Sequence, residues 1–237
     1  MVRAMISSER DLQALDALFA DRQERWWDGF YTQRAKPVPF FVDAPDESLV
    51  EWVQASHVAP GRALDLGCGN GRNAVFLARA GFAVEALDFS ATAIAWAQQN
   101  IAKAGVSVQL HEASVFEWPG PAQPVDWVCD SGLFHHLPPH RRAGYVERVA
   151  SWLKPGGMLA LTCFNPEGGS GLNDDEVYAR RTLGGGLGYT EAQLRAIWGA
   201  AFEVLALRPM QAHPKEAQVF GLPFLWAMWA RKPLTAD

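Results

Sequence analysis

The sequence predicts an α/β fold, a parallel sheet covered by helices on both faces, and three observations carry that reading. Short apolar runs alternate with helix-periodic stretches between residues 62 and 164. The first of these runs leads directly into a turn with glycine at every second position, Gly67-Cys68-Gly69-Asn70-Gly71. Further glycines, Gly81 and Gly105, stand where helix C-termini belong. Repeated strand, helix and strand build a parallel sheet whose crossovers shield both faces. Such sheets bind ligands at the carboxyl ends of their strands.

The elements follow in chain order. Leu12, Leu15, Leu18 and Phe19 recur at helical spacing and predict an amphipathic first helix. An aromatic and basic cluster comes next, Trp26, Trp27, Phe30, Tyr31 and Arg34, and then Pro37 and Pro39 impose extended or turn geometry before Phe40 and Phe41. A second helix is expected over 46–55, with Leu49, Trp52 and Val53 on one face. Strands are expected near 62–66, 82–87, 106–110, 125–130 and 157–164, and helices near 72–80, 90–104 and 140–153. A glycine-rich segment, Gly168 to Gly188, then interrupts the order and carries Asn173-Asp174-Asp175-Glu176, a charge run that is either solvated loop or a face for a cationic substrate. Thr190-Glu191-Ala192-Gln193 has the form of a capping box and starts a last helix through Leu194, Ile197 and Trp198. Phe202 to Leu207 and Val219 to Ala230 read as the closing strands.

Bulk properties narrow the function. The 237 residues suit one α/β domain, and a hydrophobic fraction of 49% with 20% charged residues is that of a globular chain. A net charge of −5 offers no footprint for phosphate backbones, so nucleic acid is a poor partner. Cys68, Cys129 and Cys163 lack metal or disulfide spacing and fall in or beside apolar strands. With no apolar signal core in residues 1–10 and no run of membrane-spanning length, a cytoplasmic enzyme with no membrane partner is expected.

A backbone without Cβ atoms lets a ligand lie against the glycine turn, and the helix after it aims its free N–H groups into the same space. The spacing, Gly67-x-Gly69-x-Gly71, is not the Gly-x-Gly-x-x-Gly of a dinucleotide site. Asp88, at the end of the next strand, is placed to accept both hydroxyls of a ribose, or else is simply an acid at a helix start before Ser90. A nucleoside fits; a pyrophosphate is not required.

On these residues the chain resembles the class I S-adenosylmethionine-dependent methyltransferases. Gly69-Asn70-Gly71-Arg72-Asn73 with Phe76-Leu77-Ala78 is similar to the small-molecule branch that includes the tellurite-resistance and thiopurine enzymes. The likeness extends over residues 60–165, through Asp126-Trp127-Val128, Leu133 to Leu137, and Leu153-Lys154-Pro155-Gly156-Gly157. It implies a Rossmann-like, seven-stranded, mostly parallel sheet with an antiparallel C-terminal hairpin. It also implies a single domain over 1–237, with 1–58 as a helical cap and 168–188 as a lid insertion. Gly67, Cys68, Gly69, Gly71 and Asn73 would hold the cofactor, S-adenosyl-L-methionine. Asp65 would orient the turn and reach the cofactor's ammonium, or cap nearby N–H groups instead. Phe89 would stack on the adenine or belong to the core. Ser114 and Val115 stand where many relatives carry an adenine-binding acid, a departure that leaves this contact to a hydroxyl, a carbonyl or Glu112. Asp130 and Ser131 would lie under the methionine part, with Tyr31 and Arg34 near its carboxylate.

His135 and His136 follow the fourth strand as candidate base or hydrogen-bond donor, or as a packed and a capping histidine. With His140 they tempt a metal reading, but adjacent side chains diverge and no carboxylate spacing completes a set, so no metal is expected. The Asn/Asp-Pro-Pro-aromatic motif of nucleic-acid amino-methyltransferases has no counterpart at Asp130-Ser131-Gly132-Leu133, and Asn165-Pro166-Glu167 lacks the aromatic. The expected activity is direct, in-line methyl transfer to a small molecule through sulfur, oxygen, nitrogen or a metalloid oxyanion. The alternatives are a non-catalytic S-adenosylmethionine-binding module and a nicotinamide-dependent oxidoreductase.

Overall fold

A computed structural model describes residues 8–22, 24–56 and 59–234. Its seven strands are β1 Arg62–Leu66, β2 Ala83–Asp88, β3 Val108–Glu112, β4 Val125–Ser131, β5 Leu153–Phe164, β6 Glu203–Pro209 and β7 Leu225–Arg231. They form one sheet in the order β3-β2-β1-β4-β5-β7-β6. β1 through β5 pair in parallel, while β7 runs antiparallel to both β5 and β6. Strand order reverses between β1 and β4, so the crevice at the carboxyl ends opens there.

Strand parity sorts the core. Leu64, Leu66, Val128, Leu159 and Leu161 face the layer of α6 (Arg142–Trp152) and α8 (Glu191–Trp198), packing with Tyr145, Val149 and Trp198. Ala63, Ala86, Trp127, Cys129 and Ala160 face the layer of α3 (Glu47–Ala55), α4 (Arg72–Arg79) and α5 (Ala91–Ala104), packing with Leu49, Trp52, Leu77 and Ala97. Gly71 enters α4 in the left-handed region at φ 77°, and a Cβ there would stand 3.0 Å from that of Ala97, so only glycine lets α4 and α5 approach this closely.

Several boundaries differ from expectation for identifiable reasons. The first helix, α1 (Glu9–Asp16), stops early and continues as a tight turn over 17–22, kinked at Phe19 with φ −112° and ψ 29°. Its end is tied down: Arg141 pairs with Asp16 and Glu9, and His140 lies 2.9 Å from Asp16 and 3.1 Å from the Tyr178 hydroxyl. The aromatic cluster is itself helical, α2 (Glu24–Thr32). The glycine-rich segment contains α7 (Asp174–Arg180), whose capping box joins Asn173 to Glu176; the charge run was its first turn. β7 begins only at Leu225, because Gly221 and Pro223 interrupt the apolar run and Phe220 instead bridges to Asp46.

Trp198 is fully buried against Phe134, Tyr145 and Phe202 on the α6/α8 face. Trp198→Ala is expected to cost about 3–5 kcal/mol of stability, read as a lowered urea midpoint; a loss below 1 kcal/mol contradicts this packing.

Candidate active site

The glycine turn, the ends of β2 to β5, the loop before β7 and α2 enclose a cavity of about 480 Å³. Of the residues the sequence reading assigned to the cofactor, Gly67, Cys68, Gly69, Asp65, Asn73, Asp88, Phe89, Ser114, Val115, Ser131 and Tyr31 line it, whereas Gly71 does not.

Asp88 stands beside the turn with both oxygens engaged from one side. Gly69 N–H donates to its Oδ2 at 3.0 Å and Ser90 N–H to its Oδ1 at 2.9 Å. Each oxygen keeps further lone-pair capacity. Burial pushes its carboxyl up to about 6, with the Ser90 and Gly69 N–H groups opposing. Asp65 is also buried, and its Oδ2 has no hydrogen-bond partner. Burial raises its carboxyl to about 7 although the Arg72 guanidinium pulls the other way.

Arg72 is the functional residue that sequence reasoning passed over. A cation at the first residue of a helix opposes the helix dipole, and that misfit was the available signal of a buried anionic partner. Its Nη2 lies 2.6 Å from Asp46 Oδ1 and donates to Ser131 Oγ at 2.9 Å, and its Nη1 donates to the Ala44 carbonyl at 3.0 Å. Asp46 also accepts from the Thr162 hydroxyl and the Asn73 amide. Asn73 is thus engaged in holding the start of α3, as well as lining the cavity.

Two expectations require correction. Asp130 does not line the cavity: it shares strand parity with Val128, so it points into the α6 layer, where Tyr145 donates to it at 2.6 Å and the Leu133 and Phe134 N–H groups complete its shell. It shapes the loop after β4 rather than meeting a ligand. Arg34 is turned away as well; its guanidinium lies over Trp96, 4.8 Å from the ring centroid, and donates to Gln99. The suggested stand-in Glu112 is exposed and outside the lining.

The wall opposite the turn is aromatic. Asp28 accepts from Ser90 Oγ at 2.6 Å and from Thr92 N–H at 3.2 Å, so α2 is pinned to the positive end of α5. This lays Trp27, Phe30 and Tyr31 over the cavity. His135 and His136 both line it, with their Nε2 atoms 3.1 Å apart. His135 Nδ1 accepts from Phe164 N–H at 3.2 Å, so in the neutral ring the proton sits on Nε2 and points at His136. Burial, and then the neighbouring His136, hold His135 well below the usual histidine range. Among the described residues no group of three His, Cys, Asp or Glu side chains is arranged to hold a metal.

Residues 63–157 match a family model described as a methyltransferase domain. Over 150 residues the chain is 32% identical to the ubiquinone biosynthesis O-methyltransferase of Burkholderia ambifaria, a match that covers 62% of this chain and 61% of that protein. The chain therefore spans less than two thirds of that relative's length. Magnesium protoporphyrin IX methyltransferase from Synechocystis PCC 6803, solved with bound SAH, superposes with a TM-score of 0.60 at 23% identity, covering 78% of this chain and 80% of that one. A structure reported for the conversion of a disulfide bond into a thioacetal group during echinomycin biosynthesis superposes with a TM-score of 0.70 at 21% identity, covering 90% and 94%. These likenesses show the fold.

Tyr145→Phe separates scaffold from site. Losing the donor to buried Asp130 is expected to cost about 1–3 kcal/mol in chemical unfolding, with S-adenosylhomocysteine affinity unchanged by calorimetry. A weakened ligand with unaltered stability would return Asp130 to the cofactor site.

Proposed function

We propose that this chain, whose residues 63–157 match a model of a methyltransferase domain, is a class I S-adenosylmethionine-dependent methyltransferase that moves a methyl group from that cofactor to a small-molecule acceptor by in-line displacement. The observation that carries the reading is the unpartnered, buried Oδ2 of Asp65, a residue that lines the same cavity as Asp88, which accepts from the Gly69 N–H of the glycine turn. A buried carboxylate oxygen without a partner calls for a cation or a donor, and an amino-acid ammonium satisfies it. Asp88 retains the acceptor capacity that a ribose diol needs, one strand over. Phe89 and Val115 offer apolar faces for a base, and Ser114 offers a carbonyl or hydroxyl; Tyr31 closes over Gly69, where a Cβ would come within 2.9 Å of its hydroxyl.

When bound, S-adenosylmethionine supplies a methyl on a sulfonium that departs as a neutral thioether, so no acid is needed at the leaving group. The residues therefore act mainly by holding reactants in line and excluding water. α2 and the loop after β4 close the cavity, and Gly185 of the 168–188 segment lines it near the point where Leu187 N–H donates to the His135 carbonyl at 2.8 Å. In this reading the chain works as one unit, with 1–58 as cap and 168–188 as lid. His135 is a positioning residue, and His136 is the imidazole nearest the acceptor. A cytosolic setting fits three free, buried cysteines, and no described helix is long and apolar enough to cross a membrane.

Calorimetry with S-adenosylhomocysteine tests the site: Asp88→Ala is expected to weaken binding by about 1–3 kcal/mol, the scale of charge-assisted hydrogen bonds. Unchanged affinity removes Asp88 from the site. A pH series tests Asp65. An ammonium prefers the ionised carboxylate, and Asp65 is raised to about 7, so affinity should climb as pH rises from 5.5 and level off above about 7, by up to about tenfold per unit. Asp65→Asn should remove the part of the climb near pH 7 and leave that of Asp88 near pH 6; a wild-type profile in that variant places the ammonium elsewhere. Transfer of a labelled methyl to any acceptor in a broad panel distinguishes an enzyme from a binding module.

A further inference from the structure

The cavity is polar at one end only. Among its described lining residues the charged side chains are Asp65, Arg72 and Asp88, all at the ends of β1 and β2 or the start of α4. Arg72 is already engaged by Asp46, Ser131 and the Ala44 carbonyl. From the mouth to the ends of β5 and β7 the lining is instead a belt of rings. Phe40 stacks on Phe30 at 5.9 Å, Phe30 meets Trp27 edge-on at 5.5 Å, and Trp27 meets His136 at 4.7 Å. His136 contacts Phe164 at 6.4 Å, and Phe164 meets Phe224 at 6.3 Å. Trp26, 37% exposed, extends the belt outward by stacking on Phe30 at 5.3 Å.

Building on the methyl-transfer reading, we propose that the acceptor is a planar aromatic molecule without negative charge that lies along this belt with its nucleophilic atom toward the His135–His136 pair. Offset and edge-to-face contacts with such rings reward a flat apolar body beyond its buried area. An anion entering the same space would shed its hydration against ring faces of negative potential, whereas the same faces attract a cation. His135 offers an anion no counter-charge: the Phe164 N–H on Nδ1 and burial keep it neutral, and its Nε2 proton is directed at His136. Metalloid oxyanions, open on sequence alone, are the acceptors this wall rejects.

The test uses one ring system in two charge states, 1-naphthol and 1-naphthoate, titrated calorimetrically into protein saturated with S-adenosylhomocysteine. Naphthol is expected to bind about tenfold or more tightly than the carboxylate, and Trp26→Ala, first verified as folded by its thermal melt, to weaken naphthol by about fivefold or more. Naphthoate that binds as well as naphthol overturns the inference, as does naphthol binding that is absent or indifferent to Trp26→Ala. Those results leave the methyl-transfer reading standing, because S-adenosylhomocysteine affinity is measured first; failure of that first titration removes the parent reading itself.

Discussion

The floor of the cavity carries a charge imbalance. Asp46, Asp65 and Asp88 are buried within it, and Arg72 is the buried cation among them. Arg72 is committed to Asp46, and through that pair it joins the start of α3, the end of β4 through Ser131 and the end of β5 through Thr162. Its guanidinium also lies 4.5 Å from the Phe220 ring centroid, so the loop before β7 rests on it. Asp65 is left with an oxygen that nothing in the chain satisfies, and burial raises its carboxyl to about 7 against the pull of Arg72. The same interaction that fastens four elements around the crevice thus creates the demand that a ligand meets.

The cap and the sheet meet this floor from opposite sides. Asp28 on the N-terminal end of α5 brings α2 across the opening, and Tyr31 descends to within reach of Gly69. The lone acid of α2 near the sheet therefore fixes where four aromatic side chains stand. On the other side, Gly186 comes so close to His135 that a Cβ would lie 2.9 Å from its ring, so the glycine-rich segment packs directly against the loop after β4. One end of the resulting chamber carries Asp65, Arg72 and Asp88, and the other is aromatic.

Much of this was legible in the sequence because the relevant signals are local. The glycine spacing, the strand before it, Asp88 at the next strand end and the Thr190 capping box depend on neighbours within a few residues. Arg72, Asp46 and Thr162 were not legible in the same way, since they meet across sequence separations that no periodicity reports. Asp130 is a different failure: alternation along β4 was visible, and its parity with Val128 already pointed it away from the crevice. Arg34 follows Tyr31 by three residues, past the end of α2 at Thr32, and the chain turns it onto α5. The helix in the glycine-rich segment was missed because Asn173 and Glu176 were weighed as charges rather than as a cap and its partner.

The account stands on a sulfonium nucleoside bridging two carboxylates across one turn. A crystal structure with S-adenosylhomocysteine bound measures this most directly. It should place the amino group within hydrogen-bond distance of Asp65 Oδ2 and the ribose hydroxyls on Asp88, with the thioether sulfur facing the aromatic belt. A ligand whose amino group is bound elsewhere while Asp65 Oδ2 stays unpartnered, or a ribose that does not touch Asp88, would contradict it.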